Sequence, residues 1–306
     1  MIIDVHGHVT PPELLKRFPM PPSLGDVAGM VEQKAALGID LTIVGSPVGA
    51  GTMVPVPGLD NYAQPVDQLE SFHDWVAETV REHHEHLRGY VYVNPLDEDL
   101  VERTAKRLAQ EEFVGLIVNT SVRGAYLDDP RADQFFALAA ETGAPVLLHP
   151  PAEPVGSAPM NGHLGLVEHI VRPCDITCGV AAILFAGWLD KYPTLRLIAA
   201  NAGGALSLLR EKLDLAQQRA KPGPPVAVTG PASGWLRRIH VDTATPSAVA
   251  LSAAAEVFGT DRLLFGTDSP PLTAPLRSSV DMVAALPDER LVFAENARRL
   301  FGLVES

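Results

Sequence analysis

The 306-residue chain has two cysteines, Cys174 and Cys178, four residues apart. Two thiols cannot staple a chain of this length, and no further cysteine stands near them to complete a metal site. They are expected to be buried, reduced thiols in a cytoplasmic protein. No apolar run approaches the roughly 18 residues that a membrane helix needs, so a soluble protein without a membrane partner is expected. The opening Met1-Ile2-Ile3-Asp4-Val5-His6 lacks the basic flank and cleavage site of a secretory signal and reads as mature protein. Basic residues are also short: 24 Lys and Arg face 37 Asp and Glu, a formal net charge of −13. Such a balance opposes phosphate backbones, which excludes nucleic acid as a partner. The glycines of Ser46-Pro47-Val48-Gly49-Ala50-Gly51 are no phosphate cradle, because no Lys-Ser/Thr pair opens a following helix.

Apolar residues make up 46% of the chain, enough to bury a large core. Short β-branched or apolar runs alternate with longer segments of helical period, the pattern of parallel strands joined by crossover helices. Eight strands are predicted, near residues 2–5, 41–45, 89–93, 114–119, 145–149, 195–199, 239–242 and 263–266. Amphipathic stretches at 68–86, 98–110, 133–141 and 246–258 read as outer helices. Pro and Gly cluster at 10–25, 48–65, 150–162 and 221–234, which marks long loops rather than linkers. The expectation is a single α/β domain over 1–306, a (β/α)8 barrel, with most long loops on the strand-end side where barrels carry their chemistry.

Side chains alternate along a strand, so His6 and His8 share a face while Gly7 points away. Two further strand ends offer ligand types just past an apolar run: Val146-Leu147-Leu148-His149 and Leu263-Leu264-Phe265-Gly266-Thr267-Asp268. Three imidazoles and one carboxylate suit one divalent ion, zinc first, with manganese or iron as alternatives, and leave a position open for water or substrate. Read singly, His149 fits a core histidine before a proline turn, and Asp268 a helix cap; together they point to a metal-dependent enzyme.

Over almost its whole length the chain resembles the amidohydrolase-related group that includes aminocarboxymuconate semialdehyde decarboxylase and the γ-resorcylate-type decarboxylases. The matching stretches are Asp4-Val5-His6-Gly7-His8, Asn119-Thr120-Ser121, Tyr126-Leu127-Asp128-Asp129-Pro130-Arg131 and Phe185-Ala186-Gly187. They continue with Ala202-Gly203-Gly204-Ala205, Phe265-Gly266-Thr267-Asp268 and Glu295-Asn296-Ala297-Arg298-Arg299. The resemblance implies a distorted barrel, a homodimer, and one divalent ion held by His6, His8, His149 and Asp268.

Where that group carries a histidine after the sixth strand, this chain has Asn201-Ala202-Gly203-Gly204. Asn201 cannot titrate, although its amide both donates and accepts hydrogen bonds. Three functions remain open. The first is non-oxidative decarboxylation of a small carboxylated substrate, with Asp268 moving the proton. The second is hydrolysis or hydration by metal-bound water, with Asp268 as base. The third is a catalytically weakened small-molecule binding protein.

Other residues carry weaker signals. His163 follows the loop after strand five and is favoured over His169 as a substrate contact, with an exposed loop histidine as its bland reading. His73, on the helix predicted at 68–86, is kept open; His240 reads as a barrel-layer residue, and Asp242 as facing the pocket. The resembling decarboxylases hold a substrate carboxylate with arginines, one of them from a neighbouring subunit, which singles out Arg210 and Lys212. The loop at residues 46–55 has no arginine, so a carboxylate clamp would differ here.

Overall fold

The computed structural model describes residues 1–160, 162–219, 229–271 and 275–303. Eight parallel strands make one sheet in strict chain order. They are β1 (Ile3–His8), β2 (Leu41–Gly45), β3 (Leu87–Tyr92), β4 (Phe113–Asn119), β5 (Val146–His149), β6 (Leu197–Ala199), β7 (His240–Asp242) and β8 (Leu263–Leu264). One long helix follows each in turn: α1 (Val27–Ala35), α2 (Val66–Glu82), α3 (Glu98–Leu108), α4 (Asp133–Thr142), α5 (Arg172–Phe185), α6 (Arg210–Arg219), α7 (Ala248–Phe258) and α8 (Leu276–Ala284). Every residue of β1, β2, β5, β6 and β7 is buried, as expected of parallel strands covered on both faces. A two-stranded ribbon, Ser121–Val122 with Ala125–Tyr126, decorates the end of β4.

The barrel is distorted where it closes. β8 has only two paired residues, and no ladder joins it to β1; instead Val5 N donates to Phe265 O at 2.9 Å and Asp268 N to His6 O at 2.8 Å. The predicted strand at 263–266 stops early because Gly266 comes unusually close to its neighbours. A Cβ there would lie 2.9 Å from Asp242 Cβ and 3.1 Å from His6 Cβ. Its N–H goes to Thr243 Oγ1 at 3.1 Å rather than into a ladder. β1, by contrast, runs three residues past its predicted end, to His8, through a register shift between Asp4 and Gly7.

α2 shows why the helices lie where periodicity put them. Leu69, Phe72, Val76 and Val80 recur at three and four and are buried against the sheet. His73 lies on the same face, 3% exposed, and its Nε2 accepts the Tyr92 N–H at 3.1 Å. It is a bolt between α2 and β3. α7 starts one residue past Ser247, whose hydroxyl caps Ala250 N at 3.2 Å.

α5 continues a short helical turn, Leu164–Leu166, through a π-helical turn at Val167–Val171. Pro173 has no N–H to return to the preceding turn, which accounts for the wider winding there. One expectation is corrected here. Cys174 and Cys178 are exposed, not buried. Ile176, Val180, Ile183 and Leu184 take the inward face of α5, and positions 174 and 178 fall on its other side.

Candidate metal centre

The strand ends bring His6, His8, His149 and Asp268 to one point: one ligand atom from each lies within 4.8 Å of all the others. His6 Nε2 is 3.1 Å from His8 Nε2, and Asp268 Oδ1 lies 2.8, 3.4 and 4.0 Å from the Nε2 atoms of His8, His6 and His149. The rings stand edge to face, with centroids 4.9 to 5.1 Å apart. All four residues are buried. Gly7 points away, as predicted: a Cβ on it would lie 2.6 Å from Thr42 Cγ2, between β1 and β2.

The outer nitrogens fix the tautomers. His6 Nδ1 is 2.6 Å from Asp242 Oδ2, His8 Nδ1 3.2 Å from Gly45 O, and His149 Nδ1 2.8 Å from Pro150 O. Each of those oxygens can only accept, so each Nδ1 donates its proton outward and each Nε2 turns a lone pair inward. Three lone pairs and a carboxylate then face one another, and His149 Nε2 is buried with no hydrogen-bond partner. A cation satisfies that arrangement; a further neutral side chain does not.

In the bare protein a proton competes for the same place. Burial disfavours a charged His6, but the Asp268 and Asp242 carboxylates outweigh it and push its pKa up to about 9. Burial, together with the charges of His8 and His6, drives His149 down to about 3 against the pull of the Asp268 carboxylate. Burial alone would raise Asp268, yet the charge of His6 and the other imidazoles around it hold it well below the usual carboxylate range.

A buried clamp sets these ligands. Asp4 accepts from His6 N at 3.0 Å, Thr267 N at 3.0 Å, Thr267 Oγ1 at 2.6 Å and Lys34 Nζ at 2.7 Å. It thus ties the backbone of one ligand to the residue preceding another, and Lys34, 2% exposed, neutralises it from α1. Asp268 itself adopts a left-handed backbone, φ 54°, unusual for a residue with a side chain. Asp242 faces the site through His6, and also accepts from Ala202 N at 3.2 Å and Ala244 N at 3.1 Å. Asp242 was legible in the sequence as a pocket residue, whereas the roles of Asp4 and Lys34 were not. The available signal for Lys34 was a lysine four residues after Met30, on the buried face of α1.

Above the four residues opens a chamber of about 460 Å³. His8, His149 and Asp268 reach it from below, and the long loops after β1 and β2 wall it with Met20, Leu24, Val48, Met53 and Val54. Asn201 stands at its edge in a left-handed conformation, φ 50° and ψ 49°, which asparagine tolerates better than most residues. Its Nδ2 donates to Ala244 O at 3.0 Å.

Three predicted contacts are not on the chamber wall. His163 is exposed beside the helix start, and His169, passed over in the sequence, is the histidine that lines the chamber. The π-helical turn carries His169 inward and leaves His163 at the preceding N-cap. Arg210 and Lys212 are exposed on α6 and contribute nothing to the wall within one subunit. His240 is buried in β7; burial and the neighbouring Arg262 push it down to about 4. The wall instead includes Glu168 and Arg172, which no sequence signal singled out.

Comparison with known proteins agrees with this geometry. Over 223 residues the chain is 24% identical to a 2-amino-3-carboxymuconate-6-semialdehyde decarboxylase of Dictyostelium discoideum, a match covering 70% of this chain and 61% of that relative. The matched stretch therefore spans less than two thirds of that protein's length. Its fold is similar to 5-carboxyvanillate decarboxylase from Sphingomonas paucimobilis, with a TM-score of 0.84, 20% identity and 99% of both chains covered. It is also similar to a dihydroxybenzoic acid decarboxylase from a Polaromonas species, solved with manganese and the inhibitor 2-nitroresorcinol. There the TM-score is 0.80 at 20% identity, covering 100% of this chain and 98% of the other. A sequence profile described as Amidohydrolase matches residues 3–303, nearly the whole length, and the chain belongs to the amidohydrolase family.

Proposed function

We propose that this protein holds one divalent ion through His6, His8, His149 and Asp268 and removes carbon dioxide, without oxidation, from a small carboxylated molecule. The observation that carries the reading is the set of three inward lone pairs and a carboxylate at the floor of a chamber of about 460 Å³. The donor set suits zinc, with manganese as the alternative; the manganese in the Polaromonas relative supports the latter. When bound, such an ion supplies Lewis-acid polarisation of substrate oxygens. In this reading Asp268 carries the proton, which its position facing both the histidines and the chamber supports. The carbon that loses its carboxylate gains that proton as the carbon–carbon bond breaks and carbon dioxide departs. Asn201 moves no proton; with one amide N–H spent on Ala244 O, it offers the substrate its other N–H and its carbonyl oxygen.

The decarboxylase names of the relatives above support the reaction class. The reading takes residues 1–306 as one barrel domain, supported by a single core cluster running from Ile3 to Leu300. Two exposed, unpaired thiols fit a reducing compartment, and we place the protein in the cytoplasm. Among the described residues no helix is long and apolar enough to cross a membrane.

The test is a panel of aromatic and unsaturated acids incubated with zinc-loaded and manganese-loaded protein, with carbon dioxide release followed. Release that disappears in a His6→Ala, His8→Ala double variant is expected. Hydrolysis of ester or lactone analogues without carbon dioxide would replace this reading with a hydrolase, and binding without any turnover would replace it with a binding protein.

A further inference from the structure

Among the described residues that line the chamber, Arg172 is the one lysine or arginine. Its side chain is 9% exposed, so its charge sits out of water. Nη2 donates to Met53 O at 3.0 Å, in the loop after β2, and Nη1 pairs with Glu168 one helical turn earlier. Nε is buried with no partner. A guanidinium has five N–H groups in a fixed fork, and two contacts leave donors unspent. The two partners differ in how firmly they hold. Met53 O belongs to the backbone of the chamber wall, whereas the Glu168 side chain is 36% exposed and can turn out into water. The wall around the pair, with Val48, Met53 and Val54, is apolar and suits an uncharged body rather than a further charge.

We propose that Arg172 anchors a second carboxylate of the substrate, distinct from the group that meets the His6, His8, His149 and Asp268 centre, and that Glu168 is the stand-in which this carboxylate displaces. The substrate class is then a small dicarboxylic acid with an apolar, ring-sized body: one carboxylate is lost and the other is held. In the empty chamber Glu168 balances the guanidinium; on binding, the substrate carboxylate takes its place in charge-assisted hydrogen bonds and Glu168 moves to solvent. This deepens, and rests on, the carboxy-lyase reading above. A purely structural Arg172, tying α5 to the loop after β2, predicts no coupling to any group on the ligand.

Calorimetric titration of the zinc-loaded chain with benzoate, isophthalate and terephthalate separates the two. Expected is a gain of roughly tenfold to 100-fold in affinity from the second carboxylate of at least one dicarboxylate, the scale of a hydrogen-bonded charge. Arg172→Gln should abolish that gain while leaving zinc content and benzoate affinity unchanged. Arg172→Lys should keep part of it, and Glu168→Gln, which removes the competitor, should enlarge it. Should Arg172→Gln fail to fold, Glu168→Gln decides: dicarboxylate binding that is unchanged or weaker overturns the proposal. A gain that survives in Arg172→Gln, or no gain in the wild type while benzoate binds, overturns the anchor and leaves the carboxy-lyase reading standing. A zinc-loaded wild type that binds none of the three acids removes both.

Discussion

At His6 a proton and a metal ion compete for the same nitrogen. The bare imidazole titrates at about 9, so below that pH an incoming ion must expel a proton. Apparent metal affinity should therefore rise about tenfold per pH unit up to about 9 and then level off, as the release of one proton requires. Competition with a chromophoric chelator at several pH values measures this, and an affinity independent of pH would remove His6 from the ligand set. Asn201 poses a different question, because its left-handed backbone and its bond to Ala244 O fix the amide rather than leave it free. Asn201→His gives up that bond and adds a titrating group. The rate with an acid that the wild type decarboxylates should fall on the order of 100-fold, at unchanged metal content, as for loss of an oriented donor. Equal rates would make Asn201 a bystander.

Elements are joined here by buried polar groups as well as by apolar faces. His73 is pushed down to about 3, by burial first and by Arg107 second. An unfolded histidine takes up a proton near 6.5, whereas the folded one stays neutral until about 3. Between those values the unfolded chain binds more protons, so stability is complete above 6.5 and is lost as pH falls, by up to about 1.4 kcal/mol per pH unit. His240, pushed down to about 4, acts in the same direction. Urea unfolding at pH 7 and pH 5 reads this slope. His73→Phe should make it shallower, leaving the His240 share, and also cost about 1–3 kcal/mol at pH 7, because the Tyr92 N–H loses its acceptor. A variant with the wild-type slope would assign the acid sensitivity elsewhere.

On the scale of the whole molecule, apolar side chains stand exposed beside the chamber. Leu164, Leu166 and Ile170 lead into α5, and Leu208 and Leu209 lead into α6, with exposures from 38% to 76%. The two segments are joined where Ala205 N donates to Thr177 Oγ1 at 2.8 Å. Such a surface supports the homodimer expected from the sequence resemblance. Of the long loop expected at 221–234, residues 221–228 lie outside the described residues. Light scattering should give twice the chain mass at micromolar concentration, and Leu208→Asp should halve it. A wild-type monomer would end the idea that Arg210 or Lys212 completes a neighbour's site.

The sequence by itself determined what depends on local order. Alternation along β1 aims His6 and His8 together, apolar runs mark the eight strands, and His149 and Asp268 follow directly on two of them. Period and breakers also located α2, α3, α4 and α7 to within a few residues. Only the tertiary structure decided what depends on distant segments meeting. Asp242 reaches His6 across 236 positions, Asp4 reaches Thr267 across 263, and Arg172 reaches Met53 across 119. None of these pairings has a periodic signature, because barrel closure and loop packing, not strand or helix geometry, bring them together. The exposure of Cys174 and Cys178 was hidden for a related reason: an apolar helix shows which residues can be buried, and the sheet it packs against selects which are.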